Sequence, residues 1–114
     1  VHAFVSWPGS AAYDATKAGL LGMTRAMAID HGPDGIRVNA ICPGYIQTPL
    51  MDRWLDTVAD REAALRDIIR VHPAGRIGTP ADIAEAALFL ASGAASFISG
   101  ASLVVDGAMT VAGH

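Results

Sequence analysis

The first long block along the chain runs from Ala11 to about Asp30, carries no proline and is built from good helix formers. It predicts a helix. Ser10 is the candidate N-cap, following a turn at Trp7-Pro8-Gly9. Gly32-Pro33 predicts its end, with Gly as the left-handed C-terminal residue and Pro unable to continue the helix. Ala15, Gly19, Gly22 and Ala26 fall at spacings of four, three and four and share one face. Glycine weakens a helix relative to alanine, so two on one stripe predict the close approach of another backbone.

After a turn at Asp34-Gly35 the pattern alternates. Ile36, Val38, Ala40 and Cys42 fall on one face, which predicts a strand over Ile36–Cys42 ended by Pro43-Gly44. From Leu50 to Val71 the spacing is again helical, with Met51, Leu55, Val58, Leu65 and Ile69 in phase. Glu62 interrupts that stripe, which predicts a break near Asp60. His72 to Thr79 reads as a loop. Thr79-Pro80-Ala81-Asp82 then carries the signals of a helix start, with Asp82 as a capping carboxylate and not a catalytic acid. Ile83, Ala87, Leu88 and Ala91 form the predicted apolar face, and the helix ends near Ser92-Gly93. Ala101–Val105 is a second predicted strand, closed by Asp106-Gly107 and followed by a frayed tail to His114. Strand, crossover helix and strand make a parallel unit, so the fold class is α/β.

Composition narrows the function. A hydrophobic fraction of 52% with 17% charged residues excludes disorder as the default state. A net charge of -3 without a Lys/Arg cluster argues against a nucleic-acid partner. No apolar run approaches the roughly 20 residues of a membrane helix. The single Cys42 forms neither an internal disulfide nor a zinc site, and His2, His31, His72 and His114 have no metal-ligand spacing, so no metal is expected. The lone thiol accords with a cytoplasmic location.

The candidate chemistry lies on the first helix. Tyr13 and Lys17 are four apart and share a face. An ammonium beside a phenol favours the phenolate, which suits the phenol to move a proton to or from a substrate oxygen. Three further motifs follow in order: Arg37-Val38-Asn39-x-Ile41-x-Pro43-Gly44-x-Ile46-x-Thr48, Arg76-x-Gly78-x-Pro80-x-Asp82, and Ser99-Gly100-x-x-Leu103-x-Val105-Asp106-Gly107. Together with Tyr13-x-x-x-Lys17 they resemble the C-terminal half of the short-chain dehydrogenase/reductase family. The likeness covers the chain from Val1 to about Ala108. It extends to 3-oxoacyl-carrier-protein reductases and to sugar-dehydrogenase-like members.

The resemblance implies the C-terminal part of a doubly wound, Rossmann-type parallel sheet: its last two strands, their helices and a substrate lid at 50–71. It implies an NAD or NADP cofactor and a small alcohol or ketone substrate. Tyr13 would exchange the proton of the substrate oxygen, and Lys17 would bind the nicotinamide ribose and lower the pKa of Tyr13. Pro43 and Gly44 would let the backbone approach the nicotinamide ring. The Ile46 backbone would hold the carboxamide, and Thr48 would contact the carboxamide or the pyrophosphate. Met51, Trp54 and Leu55 lie in the lid, where Trp54 could face substrate or simply be packed. A homodimer or homotetramer is implied through the first helix.

The family's catalytic Ser would fall immediately before Val1, since Ser6 and Ser10 lie at the wrong distance. No G-x-G-x-x-G turn occurs in the chain. The expectation is therefore a segment of a longer oxidoreductase, with its nucleotide-binding half upstream. The alternative is an inactive truncated remnant that keeps only a helix-packing surface.

Overall fold

The computed structural model describes residues 1–112; Gly113 and His114 lie outside the described residues. Helix α1 spans Ala11–His31, strand β1 Ala40–Pro43, α2 Pro49–Leu55, α3 Arg61–Arg70, α4 Pro80–Ala91 and strand β2 Ser102–Val105. The two strands are parallel, with Ala40 opposite Ser102 and Pro43 opposite Val105. Both α1 and α4 pack against β1. This is the α/β arrangement that the pattern predicts.

Strand β1 is shorter than the alternation from Ile36 suggests. Its partner at that level is the loop before β2, which gives one backbone bond, Gly100 N to Val38 O at 2.6 Å, and otherwise side-chain bonds. Arg37 donates to the Leu90 carbonyl at 2.7 Å, and Asn39 donates to Ile98 O at 2.9 Å while accepting from Ala101 N at 3.0 Å. The helix end also differs. Gly32 is right-handed (φ -55°) and starts a single 3-10 turn with Pro33 in its first positions. The left-handed residue is Gly35, at φ 74°.

The lid is two helices, separated where expected. Asp60 caps α3 by accepting from Ala63 N at 2.9 Å. Met51, Leu55 and Ile68 form its small core, with Tyr45, Ala64 and Ile77 packed against them. Ile68, and not Ile69, turns inward, because α2 and α3 have separate axes and no single phase runs through both. The excursion leaves and returns through a parallel bridge between Ile46 and Gly78. In α4 the buried residue is Leu90, while Leu88 is 64% exposed. The tail is ordered further than expected: Met109–Val111 forms a 3-10 turn and Met109 is buried.

Candidate active site

Tyr13 sits in the first turn of α1 with its ring half exposed, and the Lys17 ammonium lies over that ring at 5.1 Å from its centroid. This is a cation–π contact, and no hydrogen bond joins Nζ to the phenol oxygen. Both residues line a cavity of about 530 Å³ between α1 and β1, whose opposite wall includes Pro43 and Gly44. The structure thus brings together Tyr13, Lys17, Pro43 and Gly44. Cys42 borders the same cavity but is buried, and burial pushes its thiol pKa up, which makes it an inert wall.

Gly44 has a packing reason to lack a side chain. A Cβ there would lie 2.9 Å from Asp106 Cα and 2.9 Å from His72 Nε2. Its carbonyl side of the chain leads into Tyr45 and Ile46. In the Ile46–Gly78 bridge, Gly78 donates to Tyr45 O and Gln47 donates to Gly78 O, each at 2.9 Å. Parallel pairing of this kind leaves the N–H and C=O of Ile46 itself directed away from Gly78. Ile46 does not line the cavity; it follows directly on the Gly44–Tyr45 rim.

Thr48 is engaged elsewhere. Its hydroxyl caps α2 by accepting from Met51 N at 3.3 Å. Met51 and Leu55 are buried in the lid's own core, and Trp54 is 48% exposed. None of these three lines the cavity.

A family model described as Enoyl-(Acyl carrier protein) reductase matches residues 1–110. The chain belongs to the short-chain dehydrogenase/reductase family. Family members are oxidoreductases, and the likeness reaches their solved structures. A short chain dehydrogenase family protein from Francisella tularensis superposes with a TM-score of 0.91 at 31% identity, covering 97% of this chain and 48% of that one. The 2-(R)-hydroxypropyl-CoM dehydrogenase of Xanthobacter autotrophicus is 42% identical over 96% of this chain and 42% of its own length. The 3beta-hydroxysteroid dehydrogenase 1 of Eggerthella lenta is 43% identical over 97% of this chain and 41% of its own length. The chain therefore spans less than half the length of these short-chain dehydrogenase/reductase relatives. Two such different substrates at nearly equal identity mean that identity alone does not carry the substrate.

The two-stranded parallel sheet with its helices is the matching part of the family's Rossmann-type fold. Sequence reasoning missed the residues that surround Tyr13. The His2 ring meets Tyr13 at 4.8 Å between centroids, and Trp7 meets both His2 and Tyr45. Asp14, one residue after Tyr13, binds His2 and Ser10. Ser10 stands at the N-cap position but its side chain makes no cap bond, because its oxygen turns back to accept from Trp7 N at 3.1 Å while its hydroxyl faces Trp7 O and Asp14. The Val1-His2 opening and Trp7-Pro8 carry the likeness to sugar dehydrogenases, but the contact of His2 with Tyr13 depends on the fold. Among the described residues, no cluster suits a metal ion and no helix is long and apolar enough to cross a membrane.

Proposed function

We propose that the protein carrying this chain transfers a hydride between NAD or NADP and a secondary alcohol or ketone, with Tyr13 as the proton donor and acceptor. The observation that carries this reading is the Tyr13–Lys17 pair at a cavity whose facing wall is Pro43-Gly44. Tyr13 Oη gives its proton to the carbonyl oxygen in reduction and takes it from the hydroxyl in oxidation. Lys17, one helical turn on, presents an ammonium to the ribose hydroxyls and holds the phenol's ring face.

The residues present suit the nicotinamide end of such a cofactor. Pro43 and Gly44 line the cavity, so a flat ring there would meet a proline and a residue without a side chain. The Ile46 N–H and C=O are a donor and an acceptor on one residue, complementary to a primary amide. When bound, the cofactor supplies or accepts the hydride. Thr48 caps α2 in this chain and is left a carboxamide or pyrophosphate contact only if that cap is shared. Met51 and Leu55 are committed to the lid core, which leaves Trp54 as the lid side chain not spent on that core, although it does not line the cavity.

The same reading includes a homodimer or homotetramer through α1. Among the described residues, and leaving aside the helix's own backbone, nothing comes within 4 Å of a Cβ added at Gly19, and at Gly22 only the Arg25 guanidinium does, at 3.9 Å. The close backbone approach predicted for that stripe is therefore not made among the described residues, and a second copy would make it.

Tyr13→Phe in the complete gene product tests the assignment. Circular dichroism and cofactor affinity are expected to stay near the parent values, while turnover falls by at least the roughly 10²–10⁴ of a lost acid/base group. Near-parent turnover in the Phe variant would remove Tyr13 from the reaction.

A further inference from the structure

His72 lies just past α3 on the way back from the lid, and it is buried, at 3% exposure. Both of its ring nitrogens are engaged. Nδ1 lies 2.7 Å from Ile68 O, and Nε2 lies 3.3 Å from Tyr45 N. A backbone carbonyl only accepts and a backbone N–H only donates. In this arrangement the ring carries its one proton on Nδ1 and a lone pair on Nε2. Asp106 packs against the same side of Gly44 as Nε2 but does not compete for that proton. Its carboxyl oxygens accept from Ala108 N and Thr110 N.

The two bonds run to different parts of the molecule. Ile68 O lies in the last turn of α3, where helix carbonyls need partners from outside the helix. The N–H of His72 donates to Ile69 O at 3.0 Å, and its ring serves Ile68 O. Ile68 itself belongs to the lid core with Met51 and Leu55. Nε2 reaches the opposite way, to the cavity rim. Gly44 and Tyr45 line the cavity and His72 does not. The Tyr45 carbonyl accepts from Gly78 N at 2.9 Å. The segment returning from the lid thus holds both backbone polar groups of Tyr45. The Tyr45 ring stands at 71° to the imidazole, with centroids 5.7 Å apart. Loss of the Nε2 lone pair leaves the Tyr45 N–H without its partner, and the rim is then free to shift.

We propose that His72 is a positioning residue for the cofactor. By accepting from Tyr45 N while donating to Ile68 O, it fixes the Gly44–Ile46 backbone against the nicotinamide and ties that backbone to the lid. The inference rests on the reading of the Tyr13, Lys17 and Pro43-Gly44 cavity as the nicotinamide site.

The test separates the two nitrogens in the complete gene product. A glutamine amide oxygen stands in for Nε2, and an asparagine amide nitrogen stands in for Nδ1. His72→Gln therefore keeps an acceptor for Tyr45, and His72→Asn keeps only the donor for Ile68. Both should lower the urea midpoint, because each leaves one buried group unpaired. The Kd for NADH or NADPH, followed by fluorescence, should separate them. It is expected to rise about fivefold in His72→Asn, the size of one neutral hydrogen bond, and to stay within about twofold of the parent in His72→Gln. An unmoved Kd in His72→Asn overturns the inference, as does an equal rise in both variants, which a merely structural role would give. Should either variant fail to fold by circular dichroism, heteronuclear NMR of the His72 ring nitrogens in the parent decides. A proton on Nδ1, a bare Nε2 and an Nε2 resonance that moves on addition of cofactor are expected. A proton on Nε2, or a resonance that the cofactor leaves in place, overturns the inference. A parent that binds neither cofactor overturns the nicotinamide reading, and this inference falls with it.

Discussion

Gly44 borders the cavity, and packing behind it fixes its residue type. The neighbours that an added methyl would meet cannot retreat. Asp106 is held by the N–H groups of Ala108 and Thr110 at 2.9 and 2.8 Å, and the strand end by Gly44 N donating to Val105 O at 3.0 Å. His72 is buried, donates from Nδ1 to Ile68 O at 2.7 Å and accepts from Tyr45 N at Nε2, 3.3 Å away. Overpacking against groups so tied costs about 1–3 kcal/mol. Gly44→Ala is therefore expected to lower the urea midpoint of the complete protein with an unchanged denaturant slope. A midpoint equal to the parent's would show that the strand end relaxes freely. Pro43-Gly44 was legible in the sequence as the end of the strand. Its packing role was not, because His72 and Asp106 arrive from distant segments. His2 was hidden for the same reason: only the fold puts it against Tyr13 and Asp14.

The start of α4 shows which elements a sequence makes legible. Thr79, Pro80 and Asp82 lie within one turn, so their joint action needs no tertiary information. The structure has the full capping box, and Arg76 adds a two-pronged ion pair to Asp82 at 2.7 and 2.9 Å. Arg76 first, then the Thr79 N–H and hydroxyl, hold the Asp82 carboxyl well below the usual carboxylate range. A carboxyl whose pKa is depressed by folding stabilises the fold above its unfolded pKa of about 3.9 and loses that effect as pH falls toward the folded value. Asp82→Ala should therefore lower the urea midpoint at pH 7, and the gap to the parent should narrow as pH drops below about 4. A gap of constant size across that range would show that the charge of Asp82 is immaterial. Other elements were less legible. Nearly every residue of α4 is apolar, so its pattern could not select Leu90 over Leu88 as the buried position. The alternation from Ile36 was real, but strand length depends on what lies opposite, and there it is a loop stapled by Arg37 and Asn39.

At the scale of the molecule, the 114-residue chain is poorly covered when taken by itself. Its accessible surface is 7311 Å², against about 5,900 Å² for a compact monomer of 11.8 kDa. Its radius of gyration is 16.0 Å, against about 13 Å for a compact chain of this length. Leu20, Met23 and Ile29 of α1 and Phe97 before β2 are exposed, the last at 103%. Among the described residues β1 pairs only with β2, so its other edge offers unpaired N–H and C=O groups. Parallel sheets are stable when covered on both faces and paired along their edges. The isolated 114-residue polypeptide should therefore self-associate in light scattering and bind a hydrophobic dye such as ANS, as incompletely packed chains do. It should also fail to turn over alcohols. Tyr13 and Lys17 would hold only the nicotinamide end of a cofactor, because no glycine-rich pyrophosphate turn occurs in these residues. Proximity contributes about 7–11 kcal/mol to a barrier only when both reactants are held. Titration with NADH and NADPH, followed by fluorescence, should thus show no saturation. A monomer that unfolds in one sharp transition and saturates with either cofactor would mean that the exposed faces are tolerated and that the pyrophosphate is held by groups other than a glycine-rich turn.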